Sequence, residues 1–210
     1  MALGDPYATL AELKAYMWQS LQDTNVYDGT LTTVLDSVSR EIELHCDRQF
    51  NKADTVSVRE FGPEDVFTIR EDGGVTHWAS VDDFWDTTGL VIESGTDYAT
   101  AWTQSDYSLR PRNGVVNGQP GWPFWEIHAK TPASFSFGSD GLRVTAKWGW
   151  ASVPAPVKQA CLILASETFQ IKDAPFGVAG MDQFGVIRVR DNRMAASKLA
   201  RYCRDPIQVG

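Results

Sequence analysis

Hydrophobic positions follow a helical period at the two ends of the 210-residue chain and a strand period in its middle. Near the start, Thr9 and Glu12 form a capping-box pattern ahead of a short apolar stripe, which predicts a first helix. From Leu31 to Cys46, apolar residues recur at helical spacing, which predicts a second helix that begins near Asp28. The first quarter of the chain is therefore expected to be helical.

The middle of the chain, from about Lys52 to Trp150, alternates between apolar and polar residues over short runs. Gly, Asn, Asp and Pro residues interrupt these runs, and such punctuation is typical of antiparallel sheets built from hairpins. The expected strands are TVSVREF, DVFTIR, VTHWASV, GLVIES, PFWEIHAK and LRVTAKWGW. This segment therefore predicts an antiparallel β domain.

Helical periodicity returns at Pro156, which fits the first turn of a helix because it lacks the N–H that would be unpaired there. Apolar residues occupy most of the helix circumference up to Ile171, so we expect burial by the same domain or by a neighbouring copy. The run VIRVR predicts a short extended piece, and Asp191 is expected to cap a last helix. Because the apolar pattern is complete by Ile171, a chain truncated before Arg188 is expected to fold.

The order of these elements predicts an α+β fold, in which a small helical bundle core carries an inserted antiparallel β domain. Residues 1–51 and 151–210 are expected to form the core of about four helices, and residues 52–150 the insert. An insert whose own ends lie close together disturbs its host little. The segment from Trp148 to Pro156 is expected to be a stiff exit from the insert.

Charge is distributed unevenly along the chain. The formal net charge of −8 argues against a protein that binds nucleic acid by neutralising phosphates, because such binding needs a basic surface. After Gly185, however, basic residues outnumber acidic ones, which suggests a docking segment. Its basic residues are Arg188, Arg190, Arg193, Lys198, Arg201 and Arg204.

Composition narrows the cellular setting. No apolar run approaches the ~18 residues of a membrane span, and the N-terminus lacks the basic start and apolar core of a secretion signal. The three cysteines form no CxxC pair and are odd in number, so a disulfide framework or zinc finger is not expected. We therefore expect a soluble protein with buried thiols in a reducing cytosol.

The residues that carry chemistry do not form a recognisable catalytic or cofactor set. His45 and Cys46 are neighbours on a helix and point about 100° apart, which does not suit a nucleophile and its base. Asp82, Asp83 and Asp86 lack the spacing and turn glycine of a calcium loop and are expected to form a solvated acidic face. No phosphate-binding glycine motif occurs. We therefore expect no enzymatic activity, metal or cofactor, and a small hydrolase that uses His45 or the aspartate group is the least supported alternative.

Seven of the eight tryptophans lie in the predicted β domain. Stacking platforms for nucleic acid also need basic residues, which this region lacks, so packing of the sheet core and of subunit interfaces is the favoured use. An alternative is a carbohydrate- or ligand-binding module of a tail or wall-binding protein. That alternative requires an open row formed by Trp85, Trp102, Trp122 and Trp125.

Several segments, taken in order, resemble one family. They are DPYATLAELKAYM near the start, IELHCDRQF at the end of the second helix, the joint WGWASVPAPVKQACLILA, and DAPFGVAG with FGVIRV after it. This sequence of elements resembles the head-to-tail connector proteins of long-tailed double-stranded DNA bacteriophages, also called adaptor or head-completion proteins. The joint carries most of the likeness, and the β domain matches by position more than by residue.

The resemblance implies a structural protein of the virion. Such connectors form a homo-oligomeric ring, typically of twelve subunits, beneath the portal protein after packaging in the host cytoplasm. The ring extends the DNA channel and presents a platform for the next connector, stopper or tail-terminator protein. DNA would pass through without sequence-specific binding, and no membrane is involved.

The resemblance also implies roles for particular segments. The basic residues Arg188 to Arg204 become candidates for docking to the portal. The long apolar helix would serve the subunit core and ring contacts through Val157, Ala160, Cys161, Leu164 and Phe169. A loop would face the channel or the next ring, and its residues include Pro175, Phe176, Gly177, Gly180 and Gly185.

Overall fold

The computed structural model describes residues 4–17, 25–71, 74–130, 140–171 and 192–204. The chain divides into two compact units. The helical unit comprises Leu3–Asn51 with Ser152–Gly210, and the β unit comprises Lys52–Ala151. The α+β fold class predicted from the sequence is confirmed.

The helical unit contains four α-helices within its described residues. They are α1 (Leu10–Met17), α2 (Asp28–Cys46), α3 (Ala155–Ile171) and α4 (Arg193–Leu199). The predicted capping box starts α1: the Thr9 N–H donates to Glu12 Oε2 at 2.8 Å, and the Glu12 N–H donates to Thr9 Oγ1 at 3.2 Å. Helix α3 packs against the other three helices, so it forms the centre of this unit.

The start of α4 differs from the prediction. Its N-cap is Asn192, so the assignment of this place to Asp191 is wrong. The Asn192 Oδ1 accepts the Ala195 N–H at 2.8 Å, and its Nδ2 donates to the two Glu167 carboxylate oxygens at 2.6 and 2.7 Å. An amide both accepts and donates hydrogen bonds, so this one side chain caps α4 and fastens it to α3. A carboxylate could make only the first contact.

Helix α4 also belongs to the hydrophobic core. Ala195 and Leu199 are fully buried, and Tyr202 packs edge-on against Phe50 with 6.3 Å between ring centroids. Core residues lost by truncation leave apolar surface exposed on the rest of the unit. The expectation that the chain folds without its C-terminal segment therefore conflicts with the observed packing.

The β unit is built from antiparallel strand pairs, which its alternating pattern predicts. Its strands are β1 (Ser57–Phe61), β2 (Val66–Glu71), β3 (Gly74–Ser94), β4 (Thr100–Ala101), β5 (Tyr107–Arg110), β6 (Val115–Val116), β7 (Gln119–Pro120), β8 (Phe124–Ala129) and β9 (Leu142–Trp148). The main sheet has the order β1-β9-β3-β8-β5, with β2 and β4 also paired to β3. Strands β6 and β7 form a separate two-stranded ribbon.

Strand β3 joins two strands that the sequence predicts as separate. VTHWASV and GLVIES are the ends of one 21-residue strand, and the intervening DDFWDTT remains extended. The pairing register shifts between Ser80 and Phe84 and again between Phe84 and Val91, so the strand is irregular where it is rich in Asp and Thr. The strand therefore continues through residues that usually interrupt one.

The small ribbon lies in one of the Gly-, Asn- and Pro-rich interruptions between the predicted strands. Asn117 and Gly118 have φ angles of 50° and 75° between β6 and β7, a left-handed pair that suits Asn-Gly in a tight hairpin. The sequence RNGVVNGQPG thus forms a short hairpin of its own rather than a simple separator. Beside it, Trp122 packs against Trp150 with 5.1 Å between ring centroids.

The core of the β unit lies on one face of the main sheet. Along β9, every second residue is buried, namely Leu142, Val144, Ala146 and Trp148. Phe84, Ile92 and Ile127 from β3 and β8 are fully buried with them. This period of two assigns one face of β9 to the core and the other face to solvent or to a partner.

The two ends of the β unit are held side by side. The Ala53 N–H donates to the Trp148 carbonyl at 2.8 Å, and Lys52 and Gly149 form an antiparallel bridge. Gly149 has a φ of 92°, and its N–H donates to the Asp83 carbonyl at 2.6 Å. A glycine adopts that φ at little cost, so the chain can turn out of β9 there.

None of the described helices is long and apolar enough to cross a membrane.

Candidate assembly surfaces

The apolar helix α3 is covered by its own chain. Helices α1, α2 and α4 pack around it, and the five predicted core and ring residues are all buried. These residues are Val157, Ala160, Cys161, Leu164 and Phe169. The apolar circumference of α3 is therefore accounted for without a neighbouring copy, and it provides no argument for a ring.

Four of the six predicted docking bases lie in the described part of the chain. Arg193 and Arg201 are exposed at the two ends of α4. The half-buried Lys198 donates to Gln159 Oε1 at 2.8 Å, and the Arg204 N–H donates to the Cys46 carbonyl at 3.0 Å. The segment thus presents two exposed guanidinium groups, whereas the Lys198 side chain is bound to α3 and the backbone of Arg204 is bound to the end of α2.

The remaining predicted site residues lie outside the described residues. They are Arg188 and Arg190 of the docking segment and Pro175, Phe176, Gly177, Gly180 and Gly185 of the predicted loop. Their roles stay predictions.

An apolar strip lies on the outer face of the main sheet, the face opposite its core. Val58 of β1, Thr145 of β9 and Val91 of β3 are directly opposite one another, so their side chains share a face. Val58 is 57% exposed and Val91 43%. Val56, two residues before Val58, is 44% exposed. We call Val56, Val58 and Val91 the valine strip.

Ion pairs border the valine strip on the same outer face. The Arg143 guanidinium binds the Glu93 carboxylate, with Nε to Oε2 at 2.9 Å, and lies over the Tyr98 ring. On the other side, Lys147 Nζ lies 2.7 Å from Asp86 Oδ2. The Lys147 ammonium and a hydrogen bond from Thr88 hold the pKa of the Asp86 carboxyl at about 2. The strip is therefore an apolar patch with a polar border, an arrangement found at protein interfaces.

In the edge strand β1, a polar residue faces the core and an apolar residue faces outward, and this reversal of the usual arrangement produces the valine strip. Arg59 uses the inner face, where its guanidinium lies 4.6 Å from the centroid of the Trp148 ring. Val58, the residue before it, consequently points outward, and Val56 lies two residues before Val58. The alternation of TVSV is visible in the sequence, but the face that each residue takes depends on this tertiary contact.

The acidic group of β3 is not the solvated face that the sequence predicts. Asp83 is buried, and its Oδ2 accepts the Trp150 indole N–H at 2.7 Å. Arg59 binds the Asp82 carboxylate at 2.5 Å, and Asp86 binds Lys147 as described above. Each of the three carboxylates therefore has a partner, and the predicted solvated face is wrong for Asp83, whereas Asp82 and Asp86 remain partly exposed.

The tryptophans of the β unit do not form an open row. Trp102 and Trp122 are 8% and 9% exposed, and the Trp102 indole N–H donates to Ser94 Oγ at 2.8 Å. Trp85 donates to the Ala53 carbonyl at 2.9 Å, and the Lys52 and Lys147 ammonium groups lie over its ring. The tryptophans thus pack the β unit. The carbohydrate-binding alternative lacks the surface that it requires.

The described residues offer no metal site. No group of three or more His, Cys, Asp or Glu side chains in the described stretches is placed to hold a metal ion. His45 is exposed on α2, whereas the adjacent Cys46 is buried, as expected for neighbours on a helix. His128 Nε2 lies 2.7 Å from Glu126 Oε2, and His77 contacts the Thr68 hydroxyl. These histidines are engaged in local polar contacts on the sheet.

Comparison with known proteins gives a structural likeness but no match to a protein family. No protein-family model matches the sequence, and no curated protein matches it significantly. Among solved structures, a chain in the neck of an empty GTA particle, computed with C6 symmetry, superposes with a TM-score of 0.53. The two chains share a fold. The likeness covers 97% of this chain and 93% of that chain at 16% sequence identity, so it includes both the helical unit and the β unit.

Proposed function

We propose that this protein is a structural component of the neck of a phage-like particle, a connector that joins the DNA-filled head to the tail. In this role it forms a ring beneath the portal, extends the DNA channel and presents a platform for the next connector, stopper or tail-terminator protein. The observation that carries the proposal is the fold shared, over both units, with a chain of the neck of a GTA particle. The resemblance of the WGWASVPAPVKQACLILA joint to phage connectors supports the same class of protein.

The proposed ring has twelve copies. That neck was computed with C6 symmetry, and a closed ring of twelve subunits contains a six-fold axis, so the two are compatible. We assign the valine strip to the contact between neighbouring copies, because an exposed apolar patch with a polar border favours association. Ring formation would remove Val58 and Val91 from water.

The charges of the chain support two parts of the proposal, the passage of DNA through the ring and the docking of the C-terminal segment to the portal. A net charge of −8 suits a conduit through which DNA slides, because attraction to phosphates would retain it. The exposed Arg193 and Arg201, with the basic residues that precede them, are proposed to contact the portal. The protein would therefore be located in the virion after assembly in the host cytoplasm.

A complementation experiment tests the role in assembly. In lysates that lack the protein we expect DNA-filled heads and separate tails, and purified protein added back should restore joined particles. Electron microscopy and plaque or transfer titres measure this. Normal titres without the protein would contradict the proposal.

Ring assembly tests the valine strip. We expect Val58→Arg to prevent rings on portal-bearing heads, because the charge would lie within the subunit contact. Thr87→Arg adds the same side chain at another exposed position of the main sheet and serves as the matched control. Both variants should keep the far-ultraviolet circular dichroism of the natural chain. Uniform rings with Val58→Arg would show that the contact between subunits lies outside the valine strip.

Charge reversal tests the docking segment. The double variant Arg193→Glu with Arg201→Glu should weaken binding to purified portal and leave the fold intact, since both side chains are exposed. The matched control reverses two exposed bases of the β unit, Arg112 and Lys130. Equal portal binding by the two double variants would exclude the C-terminal end as the docking segment.

A further inference from the structure

Two cysteines from opposite ends of the chain meet in the helical unit. Cys46 and Cys203 are 157 positions apart in the sequence, yet their sulfur atoms lie 2.8 Å apart. Both are thiols in the structure. A small rotation of either side chain would bring the sulfurs to the bonding distance of a disulfide, about 2.05 Å.

The backbone already holds the two residues in this arrangement. Cys46 is the last residue of α2, and its carbonyl accepts the N–H of Arg204, the residue after Cys203, at 3.0 Å. The Cys203 N–H in turn donates to the Leu199 carbonyl of α4 at 3.2 Å. Tyr202 packs against Phe50 beside them. The pair is therefore held by hydrogen bonds and packing on both sides, with the two sulfurs next to each other.

We propose that Cys46 and Cys203 form a reversible disulfide that fastens the end of α4 to the end of α2. The proposal rests on geometry in the helical unit and does not depend on the proposed function. It adds a covalent modification site that the sequence could not indicate, because no CxxC spacing marks it.

The reaction needs an oxidant that accepts two electrons, and a disulfide compound such as oxidised glutathione supplies it. The half-buried Cys203 is the accessible member: its thiolate attacks the oxidant, forms a mixed disulfide and releases one glutathione thiolate. The Cys46 sulfur then attacks the Cys203 sulfur, loses its proton to solvent and releases the second glutathione. Two S–H bonds are lost, one protein S–S bond forms, and the S–S bond of the oxidant is reduced.

The surroundings of Cys46 make this reaction slow near neutral pH. The hydrogen bond with Cys203 and burial both raise the pKa of the Cys46 thiol far above its usual range. The thiolate is the reactive form, so the rate should rise as the pH increases. In a cell, the cytosolic thiol pool keeps such a pair reduced, and an oxidising environment closes it.

The closed form should be more stable, because the bond would constrain a loop that includes the whole β unit. Restricting so long a loop in the unfolded chain typically raises the melting temperature of a protein of this size by roughly 5–15 °C. A reductant should reverse the increase completely.

The test uses the full-length purified protein incubated overnight with oxidised glutathione at pH 8.5 and then alkylated in denaturant. Trypsin should release peptide 41–48 joined to peptide 202–204, with the loss of two hydrogen atoms. We expect this product, together with the increase in melting temperature and its reversal by dithiothreitol. Alkylated Cys46 and Cys203 in separate peptides after this treatment would overturn the proposal, as would a bond to Cys161 or between chains.

Single substitutions provide the controls. Cys203→Ser should abolish both the joined peptide and the temperature increase. Cys161→Ser should retain both, because Cys161 lies elsewhere in the helical unit, 3.6 Å from Ser39 Oγ. A temperature increase that persists in Cys203→Ser would overturn the proposal. If that variant does not fold, the peptide analysis of the natural chain still shows whether Cys46 and Cys203 are joined.

Discussion

Helix α3 of the helical unit is covered by its own chain, whereas the outer face of the main sheet in the β unit leaves a group of valines exposed. Helix α3 is apolar around most of its circumference, yet α1, α2 and α4 enclose it. The outer face of the main sheet keeps Val58 and Val91 in contact with solvent, between ion pairs. A strongly apolar segment therefore does not by itself indicate a partner. The exposed valines of an otherwise ordinary alternating strand are the better indicator of a subunit contact.

The largest expected effects come from the two cores. Trp148 is fully buried, and its indole N–H donates to the Ser57 carbonyl at 2.9 Å, so Trp148→Ala should lower the free energy of unfolding by about 3–5 kcal/mol. Leu164→Ala in α3 should cost about 2–5 kcal/mol. Denaturant titration would follow tryptophan fluorescence for the β unit, which contains seven of the eight tryptophans, and circular dichroism at 222 nm for the helices.

The two probes decide whether the units unfold separately. If they do, Trp148→Ala shifts mainly the fluorescence transition and Leu164→Ala mainly the circular dichroism transition. Identical shifts of both probes in each variant would show that the two units unfold as one. The helical unit and the β unit would then not differ in stability.

A smaller effect is expected at the buried carboxylate of the β unit. Asp83→Ala removes the acceptor of the Trp150 indole N–H and should lower the free energy of unfolding by about 1–3 kcal/mol. Asp83→Asn keeps a carbonyl acceptor and should cost less. Thermal unfolding of both variants measures the difference. Equal losses would indicate that the charge, rather than the hydrogen bond, is required.

The capping box of α1 predicts a pH dependence in the helical unit. Hydrogen bonds from Lys158 and from the Thr9 N–H hold the pKa of the Glu12 carboxyl below its ordinary value of 4.5. Because the folded pKa is the lower one, the stabilisation is present above the unfolded pKa and is lost as the pH falls through the folded pKa. Since Glu12 is partly exposed, Glu12→Gln should cost only about 0.5 kcal/mol at pH 7, and this cost should decrease as the pH falls through the folded pKa.

Glu41 provides a control of opposite sign. Burial raises the pKa of its carboxyl, so the ionised form is disfavoured in the folded chain at neutral pH. Glu41→Gln should therefore not destabilise the protein at pH 7. Melting temperatures measured between pH 2 and pH 7 would separate the two variants, and parallel profiles would contradict the assignment.

The smallest expected effect concerns an ion pair on the sheet. Arg59 binds the Asp82 carboxylate, and both side chains are partly exposed, so Asp82→Asn should cost about 0.5 kcal/mol or less. The effect should shrink further in high salt because exposed charges are screened. A loss as large as that of Asp83→Ala would mean that the pair also holds β1 in the sheet.

Local chemistry explains which elements could be predicted from the sequence. The capping pair Thr9 and Glu12 and the apolar stripe of α2 are complete within one stretch of chain, and the structure has those helices as predicted. The sequence predicts the two ends of β3 as separate strands, and the run that contains Asp82, Asp83 and Asp86 lies between them. Their partners are supplied by distant residues, which no local pattern reveals.

The candidate surfaces also depend on contacts between distant residues, which the sequence does not reveal. The basic character of the C-terminal end is visible in the sequence, but the packing of α4 into the core depends on Leu199 meeting α3. The outward direction of Val58 follows from Arg59 lying over Trp148. Likewise, the meeting of Cys46 and Cys203 requires the two chain ends to be folded together, so it could not be predicted.

The pairing of Ala53 with Trp148 has a consequence for protein engineering. Chains paired in this way lie about 4.8 Å apart, so the β unit begins and ends at nearly the same point. A domain with adjacent termini can be fused into a loop of another protein with little disturbance of that host. Residues 52–151 should therefore be suitable for such a fusion as an isolated cassette.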